Sequence, residues 1–328
     1  MMKKTLIAAG VAVAMTVPAI ASADVSLTAR LQAELTSTSS DNDANDGLRI
    51  GDAYQGDGNV GSGNWSRVDL KASHDLGNGL SAIGHVSWNI DPSNVANKGT
   101  RESLVGLQGN FGTVMMGRMT NAAATNGKDP FNGTFMQARG NGGMASSGAI
   151  GNAAIGNGGY LSEALGYKGK LGVVSLGATI GLDPDNEEGN HAYAVLADVD
   201  LNPVNVWVGY ASGDEYDGLA PDDDAEIAKI GASFKTGAFS VMAQYEDVKD
   251  DISFMMVAGT YTMGANTFML GYGVGDAEVD GEDQQWIALG MNHRFTRQVS
   301  AHVGVRSTEY AENNAESTVV GAGMRVTF

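Results

Sequence analysis

The chain has 328 residues, no cysteine and a formal net charge of −18. Disulfides, thiolate-ligated zinc and a thiolate nucleophile are therefore excluded, and so acidic a chain lacks the basic face that nucleic acid requires of a partner. Glycine is in excess, at 46 residues or about 14%, roughly twice ordinary usage; with only 6 prolines and no fixed glycine repeat, neither collagen nor a Pro-rich disordered tract fits.

The first segment reads as an address. Lys3 and Lys4 precede an apolar stretch from Leu6 to Val17, Pro18 breaks it, and Ala21-Ser22-Ala23 offers small residues to a signal peptidase. Residues 1–23 are expected to be a cleaved signal peptide, cut after Ala23, with Ala19-Ile20-Ala21 as a second cleavage motif and an uncleaved anchor as the competing reading. Cleavage leaves residues 24–328 as one domain with 18 basic against 38 acidic residues, a formal charge of −20.

From Asp24 the chain reads in twos. Val25, Leu27, Ala29, Leu31, Ala33 and Leu35 share one face, while Ser26, Thr28, Arg30, Gln32 and Glu34 share the other. That period predicts a strand with one apolar and one polar side. It returns at Val174–Leu182, at Ala228–Lys235 and at Val299–Arg306. Short turns are expected at 75–79, 110–112, 169–171, 202–203, 236–238, 263–265 and 296–298. Longer polar loops are expected at 36–64, 89–101, 119–160, 183–190, 213–224, 248–251, 276–284 and 311–316. Seven turns and eight loops in strict alternation connect sixteen strands, the layout of a transmembrane antiparallel β-barrel.

Phe254 to Gly275 carries no charge and is long enough for a membrane helix. Its five glycines, and the alternation of Phe268, Leu270, Tyr272 and Val274 with Met269, Gly271 and Gly273, predict a hairpin turning at Gly264 instead. The first arm, Ile252 to Met263, is apolar on both faces, and packing against another subunit is one expected reason.

Several letter patterns fail their context tests. Gly56-Asp57-Gly58-Asn59-Val60-Gly61 fits a dinucleotide fingerprint but sits in a polar loop with no strand before it or helix after it. Asp183, Asp185 and Glu187 match the first ligands of a calcium loop, yet Glu188 occupies the required glycine and Ala194 the closing glutamate. His74, His85, His191, His293 and His302 show no metal-ligand spacing. Ser300 and His302 share a face without an orienting acid. No cofactor is expected beyond loosely held Ca²⁺ or Mg²⁺ at Asp222-Asp223-Asp224 and Asp276 to Asp283, bridging to lipopolysaccharide phosphates; a solvated acidic rim is the simpler reading. No enzyme constellation emerges.

At Arg101-Glu102-Ser103-Leu104-Val105-Gly106-Leu107-Gln108-Gly109-Asn110-Phe111-Gly112-Thr113-Val114-Met115-Met116-Gly117-Arg118 the chain resembles the trimeric Gram-negative general porins. Asp24 to Arg30 is similar to that family's first strand, with Thr-Ala in place of the usual Tyr-Gly. The last strand, Ser317 to Phe328, ends with Met324, Val326 and Phe328 on one face, like the C-terminal signal read by the barrel-assembly machinery. The resemblance implies a sixteen-stranded homotrimeric barrel in the outer membrane, with the third external loop (119–160) folded into the lumen. It also implies a constriction where an acidic loop faces basic wall residues. The candidates are Arg30, Arg67, Lys71 and Arg118 on the wall and Asp129 in the loop, although the parity of Arg118 with Val114 and Met116 points it outward unless a bulge intervenes. The implied function is passive diffusion of small hydrophilic solutes and ions. A substrate-specific channel for an anion, sugar or other small solute is the nearest alternative, followed by an adhesive barrel and an outer-membrane hydrolase.

Overall fold

The computed structural model describes residues 23–41, 46–51, 66–90, 99–145, 155–182, 191–214, 224–278, 283–310 and 315–328. The segments carrying the expected signal peptide, the 56–61 pattern, the 183–187 pattern, Asp222 and Asp223 lie outside them.

The strands are β1 (Asp24–Ser40), β2 (Gly47–Gly51), β3 (Arg67–Gly77), β4 (Leu80–Asn89), β5 (Thr100–Gly109), β6 (Gly112–Thr120), β7 (Tyr160–Leu171), β8 (Val174–Gly181), β9 (Ala192–Asp200), β10 (Val204–Asp214), β11 (Asp224–Thr236), β12 (Phe239–Val248), β13 (Ile252–Met263), β14 (Asn266–Ala277), β15 (Gln284–Arg294), β16 (Val299–Tyr310) and β17 (Ala315–Thr327). They form one antiparallel sheet. β1 closes it by pairing with β17 from Arg30↔Thr327 to Ser40↔Ser317. The other edge of β1 pairs with β2 in its upper half and with β3 in its lower half. β2 and β3 thus make one interrupted stave, and the seventeen segments close into a sixteen-stranded barrel. The interruption lies inside the loop expected at 36–64. Ser66 patches it, its Oγ accepting from Gln32 N at 2.9 Å and donating to Gln32 O at 3.1 Å.

All seven expected turns are found, one of them displaced. β7 runs on through Leu171, and the reversal falls at Gly172-Val173, where Gly172 takes φ 59°, a left-handed conformation that glycine adopts without steric cost. The 254–275 segment is the expected hairpin, with Gly264 at φ 61°, and among the described residues no helix is long and apolar enough to cross a membrane.

The alternation is inverted relative to a water-soluble sheet. Leu27 is 68% exposed, whereas Gln32 and Glu34 on the opposite face are buried. Only a wall with hydrocarbon outside and polar groups inside makes that arrangement stable. The outward band carries two belts of rings. Phe111, Phe234, Phe239, Tyr261, Phe268 and Phe295 stand near the short turns, and Trp88, Tyr193, Tyr210, Tyr245 and Tyr272 near the loops. The tyrosine hydroxyls at the loop end reach polar partners, Tyr210 to Glu226 at 2.8 Å and Tyr245 to Asp247 at 3.1 Å, as rings at a membrane–water interface do.

The apolar inner face of β13 has a different cause from the one expected. Met256 and Ala258 lie in a buried cluster with Phe131, Phe135 and Met136 of the loop between β6 and β7. That face is covered from inside the barrel, so no second subunit is needed to explain it.

The inverted wall yields a direct prediction. Leu289, 55% exposed at the middle of β15, should cost about 2–4 kcal/mol of folding stability in bilayers when changed to Arg. Urea titration of vesicle-folded protein measures this, and an unchanged midpoint would place Leu289 off the lipid face.

Candidate functional site

The chain leaves β6 at Thr120 and returns at Tyr160. The described parts of this long loop, 121–145 and 155–159, pack on inward-facing side chains of the barrel, strand after strand. Ala122 N donates to Thr179 Oγ1 on β8 at 3.0 Å. Lys128 is ion-paired with Asp198 on β9, donates to Asn205 at 2.8 Å and lies 4.6 Å from the Trp207 ring centroid on β10. Phe131 meets Trp286 of β15 edge-on at 5.6 Å, and Trp286 Nε1 donates to Met136 O at 3.2 Å. Arg306 on β16 donates to Phe135 O, Arg325 on β17 to Gly133 O, and Gln32 on β1 also to Gly133 O.

Two buried charged groups anchor the loop. Glu246 on β12 accepts from Ala145 N at 3.2 Å and from Asn157 Nδ2 at 2.8 Å, with Lys229 of β11 3.6 Å away. Lys229 itself donates to Asn157 Oδ1 at 3.1 Å. Glu34 on β1 accepts from Phe135 N and faces His302 Nε2 at 2.6 Å. Polar groups this deeply buried are costly unless hydrogen-bonded, so removing either carboxylate strips loop N–H groups of their acceptors. Glu34 is the acid that Ser300 and His302 lacked in the sequence, but His302 is buried and adjoins the Phe135 ring at 6.4 Å. The pair holds the loop in place.

The loop leaves more open the inner wall formed by the first half of β1, Asp24 to Arg30, and by β3 to β5. There Arg30 stands directly opposite Arg67 in the β1–β3 register, and Arg325 pairs with Gln32, two residues further along β1. Arg67 Nε contacts Asp69 at 2.9 Å, Asp69 faces His85 at 3.0 Å, and His85 in turn faces Glu102 at 3.3 Å. Lys71 follows Asp69 on the same inward face, between Ser26 and His85, with its side chain exposed. A register slip between Ser87 and Trp88 brings in Arg101, which donates to Asn89 at 3.0 Å and lies 5.3 Å from the Tyr160 ring centroid.

Two candidates depend on the local backbone. Arg118 keeps its pairing with Ser103 and the outward parity of Val114 and Met116. A bulge does intervene beside it: the β6–β7 register shifts between Gly117 and Met119, with Gly117 at φ 128° and Glu163 on the facing strand at φ 44°. Arg118 donates to Ser162 Oγ at 2.6 Å and lies 5.3 Å from the Tyr160 ring centroid, the same ring that Arg101 meets. Asp129 turns into its own loop, its two oxygens accepting from Phe131 N and Ala138 N at 2.8 Å each. Burial pushes its carboxyl up to about 6 against those two bonds. It staples the loop and presents no charge to the open wall. The loop's remaining described charge on that side is Arg139, half-buried, with its guanidinium on Asn157 O at 3.2 Å.

Met324 and Phe328 are half or more exposed on the outer face, and Val326 is intermediate. Phe328 N donates to Ala29 O at 2.8 Å across the seam. Arg325, unnoticed in the sequence, was available from parity, because it alternates with Met324 and Val326. Arg101 was not, since the register slip that turns it leaves no trace in the letters. Among the described residues no three His, Asp or Glu side chains are placed to hold a metal ion.

A family model for Gram-negative porins matches residues 8–313. The major outer membrane protein P.IB of Neisseria meningitidis serogroup B is 34% identical over 127 residues, covering 38% of this chain and 36% of the relative; the match thus spans about a third of that protein. Two solved structures share the fold. The anion-selective porin from Comamonas acidovorans superposes with a TM-score of 0.73 at 20% identity, over 94% of this chain and all of that one. OmpT, an outer membrane protein of Vibrio cholerae, gives 0.67 at 16% identity, over 93% and 98%. On the family match over residues 8–313 and the closed sixteen-stranded wall, the chain belongs to the Gram-negative porin family, proteins of the outer membrane.

Proposed function

We propose that this barrel conducts small hydrophilic solutes and ions by passive diffusion, with no catalytic step and no resident cofactor, and that it favours anions. The observation that carries the reading is the opposition of Arg30 and Arg67 across the β1–β3 register, with Arg101, Lys71 and Arg325 alongside. Like charges placed directly opposite destabilise a sheet, and a water-filled passage that admits anions is where such a cluster is tolerable. The loop supplies no opposing acid there, because Asp129 is spent on its own backbone. The solutes pass between the loop and this wall, and Arg30, Arg67, Lys71 and Arg101 line the narrow part. The Comamonas relative's anion selectivity agrees with this assignment.

In the same reading the first 23 residues are a cleaved signal, and Met324, Val326 and Phe328 are presented to the barrel-assembly machinery. The assembled protein is a homotrimer surrounded by outer-membrane lipid and lipopolysaccharide. The belts of rings support a trimer. From β9 to β14 they recur on every strand, with Phe111 just before β6 and Phe295 just after β15, but between β16 and β5 the outward face is aliphatic, with Trp88 and the terminal Phe328 its only rings among the described residues. A sector without interfacial rings suits contact with protein, since rings of this kind anchor a wall to the lipid headgroups.

Purified protein should give ohmic single-channel steps in a planar bilayer, with a reversal potential of anion sign in a salt gradient. No conductance would refute the diffusion reading. Arg30→Gln and Lys71→Gln should each move the reversal potential toward cations, and an unchanged value would remove that residue from the narrow part.

Asp129 makes the loop pH-sensitive. Its folded carboxyl titrates near 6, above the value in an unfolded chain, so the folded loop holds a proton that the unfolded loop releases. The seat is therefore strongest at low pH and weakens as pH rises through about 6, by on the order of a hundredfold in the ordering equilibrium. Hydrogen exchange of amides 131–138, corrected for intrinsic rates, should show this loss of protection between pH 4 and 7. Asp129→Asn should abolish the pH dependence, and a dependence that survives the change would assign it to another group.

A further inference from the structure

We infer that Met136 and Gly290 form a knob and socket that sets how far the loop stands off the wall, and thereby the cross-section of the pore; this rests on the diffusion reading above. Met136 is fully buried. Its thioether lies over Gly290 of β15 and Gly304 of β16, which face each other in register, with Gly321 of β17 next in line. A Cβ on Gly290 would stand 2.7 Å from Met136 Sδ and 2.9 Å from its Cε, well inside van der Waals contact. The backbone on either side of Met136 is held in place, with Phe135 N on Glu34, Phe135 O under Arg306 and Met136 O under Trp286.

The socket is distinguishable from a requirement of the barrel itself. Gly290 has no positive φ, and the three nearest atoms a Cβ would meet there belong to the side chains of Met136 and Met269, none of them to backbone. The strand alone would accept a larger residue, so the need for glycine comes from the loop. Gly304 differs, because a Cβ there would also strike Leu289 O of the neighbouring strand, which makes Gly290 the informative position. A methyl group at 290 must displace the end of the Met136 side chain, and the larger isopropyl group is the change inferred to lift Met136 off the wall into the lumen. Gly290 is in this sense a positioning residue for permeation without touching a solute.

The test compares wild type, Gly290→Ala, Gly290→Val, Met136→Ala and the Gly290→Val/Met136→Ala double variant as full-length folded protein. Heat-modifiable migration reports barrel closure, and planar-bilayer recording reports conductance. We expect all five to close. Conductance should fall in the order wild type, Gly290→Ala, Gly290→Val, and the double variant should regain most of the loss, because removing the knob empties the socket. A closed Gly290→Val barrel with wild-type conductance would overturn the proposal, as would a loss that Met136→Ala fails to rescue. Should Gly290→Val not close, Gly290→Ala and its Met136→Ala double variant carry the same comparison. Hydrogen exchange at amides 134–137 gives a reading independent of conduction. If wild type itself passes no current, the diffusion reading falls, and the socket is decided by whether Gly290→Val lowers that protection and Met136→Ala restores it.

Discussion

The structure depends on a seam. A chain that crosses hydrocarbon as strands must satisfy every backbone N–H and C=O within the sheet, because the surroundings offer no water. β1 and β17 meet that demand with eleven paired residues, and Phe328 and Ala29 bond reciprocally at its end. Closure removes the exposed edges and turns the alternation of side chains into a division between lipid and lumen. The apolar outer band, the ring belts and the polar interior are consequences of that one topological fact.

Closure also creates a problem of volume. A barrel of sixteen strands is too wide for its own side chains to fill, and an unfilled interior here would leave Trp207, Trp286, Phe254 and Met256 facing water. The loop after β6 covers them. It buries Phe131, Phe135, Met136 and Met144 against that inner wall, at about 25 cal/mol for each Å² of apolar surface removed from water, and it anchors its polar ends on Glu246 and Glu34. The lumen is consequently uneven, packed on one side and open and basic on the other. The glycine excess belongs partly to this fit, since Gly273 lies where a Cβ would stand 2.6 Å from the Cα of Gly143 in the loop.

The outward half of this design was legible in the letters. Val25, Leu27, Leu31 and Leu35 alternate without interruption, so β1 could be read directly, and the hairpin at Gly264 followed from glycine spacing that no membrane helix would need. The inward half was harder to read. Alternation signals a polar interior, and where the loop covers β13 the inner residues are apolar as well, so Phe254, Met256 and Ala258 erased the period and suggested an external partner. Asp129 was visible as the loop's acid, but whether a carboxylate faces water or its own backbone depends on a local turn that composition does not encode. Arg118 and Arg101 show the limit of parity. One register slip turned Arg101 inward, and another, between Gly117 and Met119, falls beside Arg118 and brings it to the Tyr160 ring.

The charge distribution then separates two regions that a net value merges. The chain as a whole is strongly acidic, with a sequence pI near 4.5, and carboxylates such as Asp41, Asp276, Asp283, Glu309 and Glu316 gather at the loop end of the wall. Arg30 lies ten residues below the end of β1 at Ser40, about 33 Å along a strand at roughly 3.3 Å per residue. Even after allowing for tilt, that exceeds a Debye length of about 8 Å at physiological salt, so the rim's field is screened before it reaches the arginines. Inside, low-dielectric walls confine the field of Arg30, Arg67 and Arg101 and make it stronger than the same charges would produce on an open surface. Under the proposed reading, an anion entering this barrel meets a hydrated acidic mouth that repels it weakly and a basic narrow part that acts on it at close range. The sign of selection follows from the second region, and the net charge of the chain is a poor guide to it.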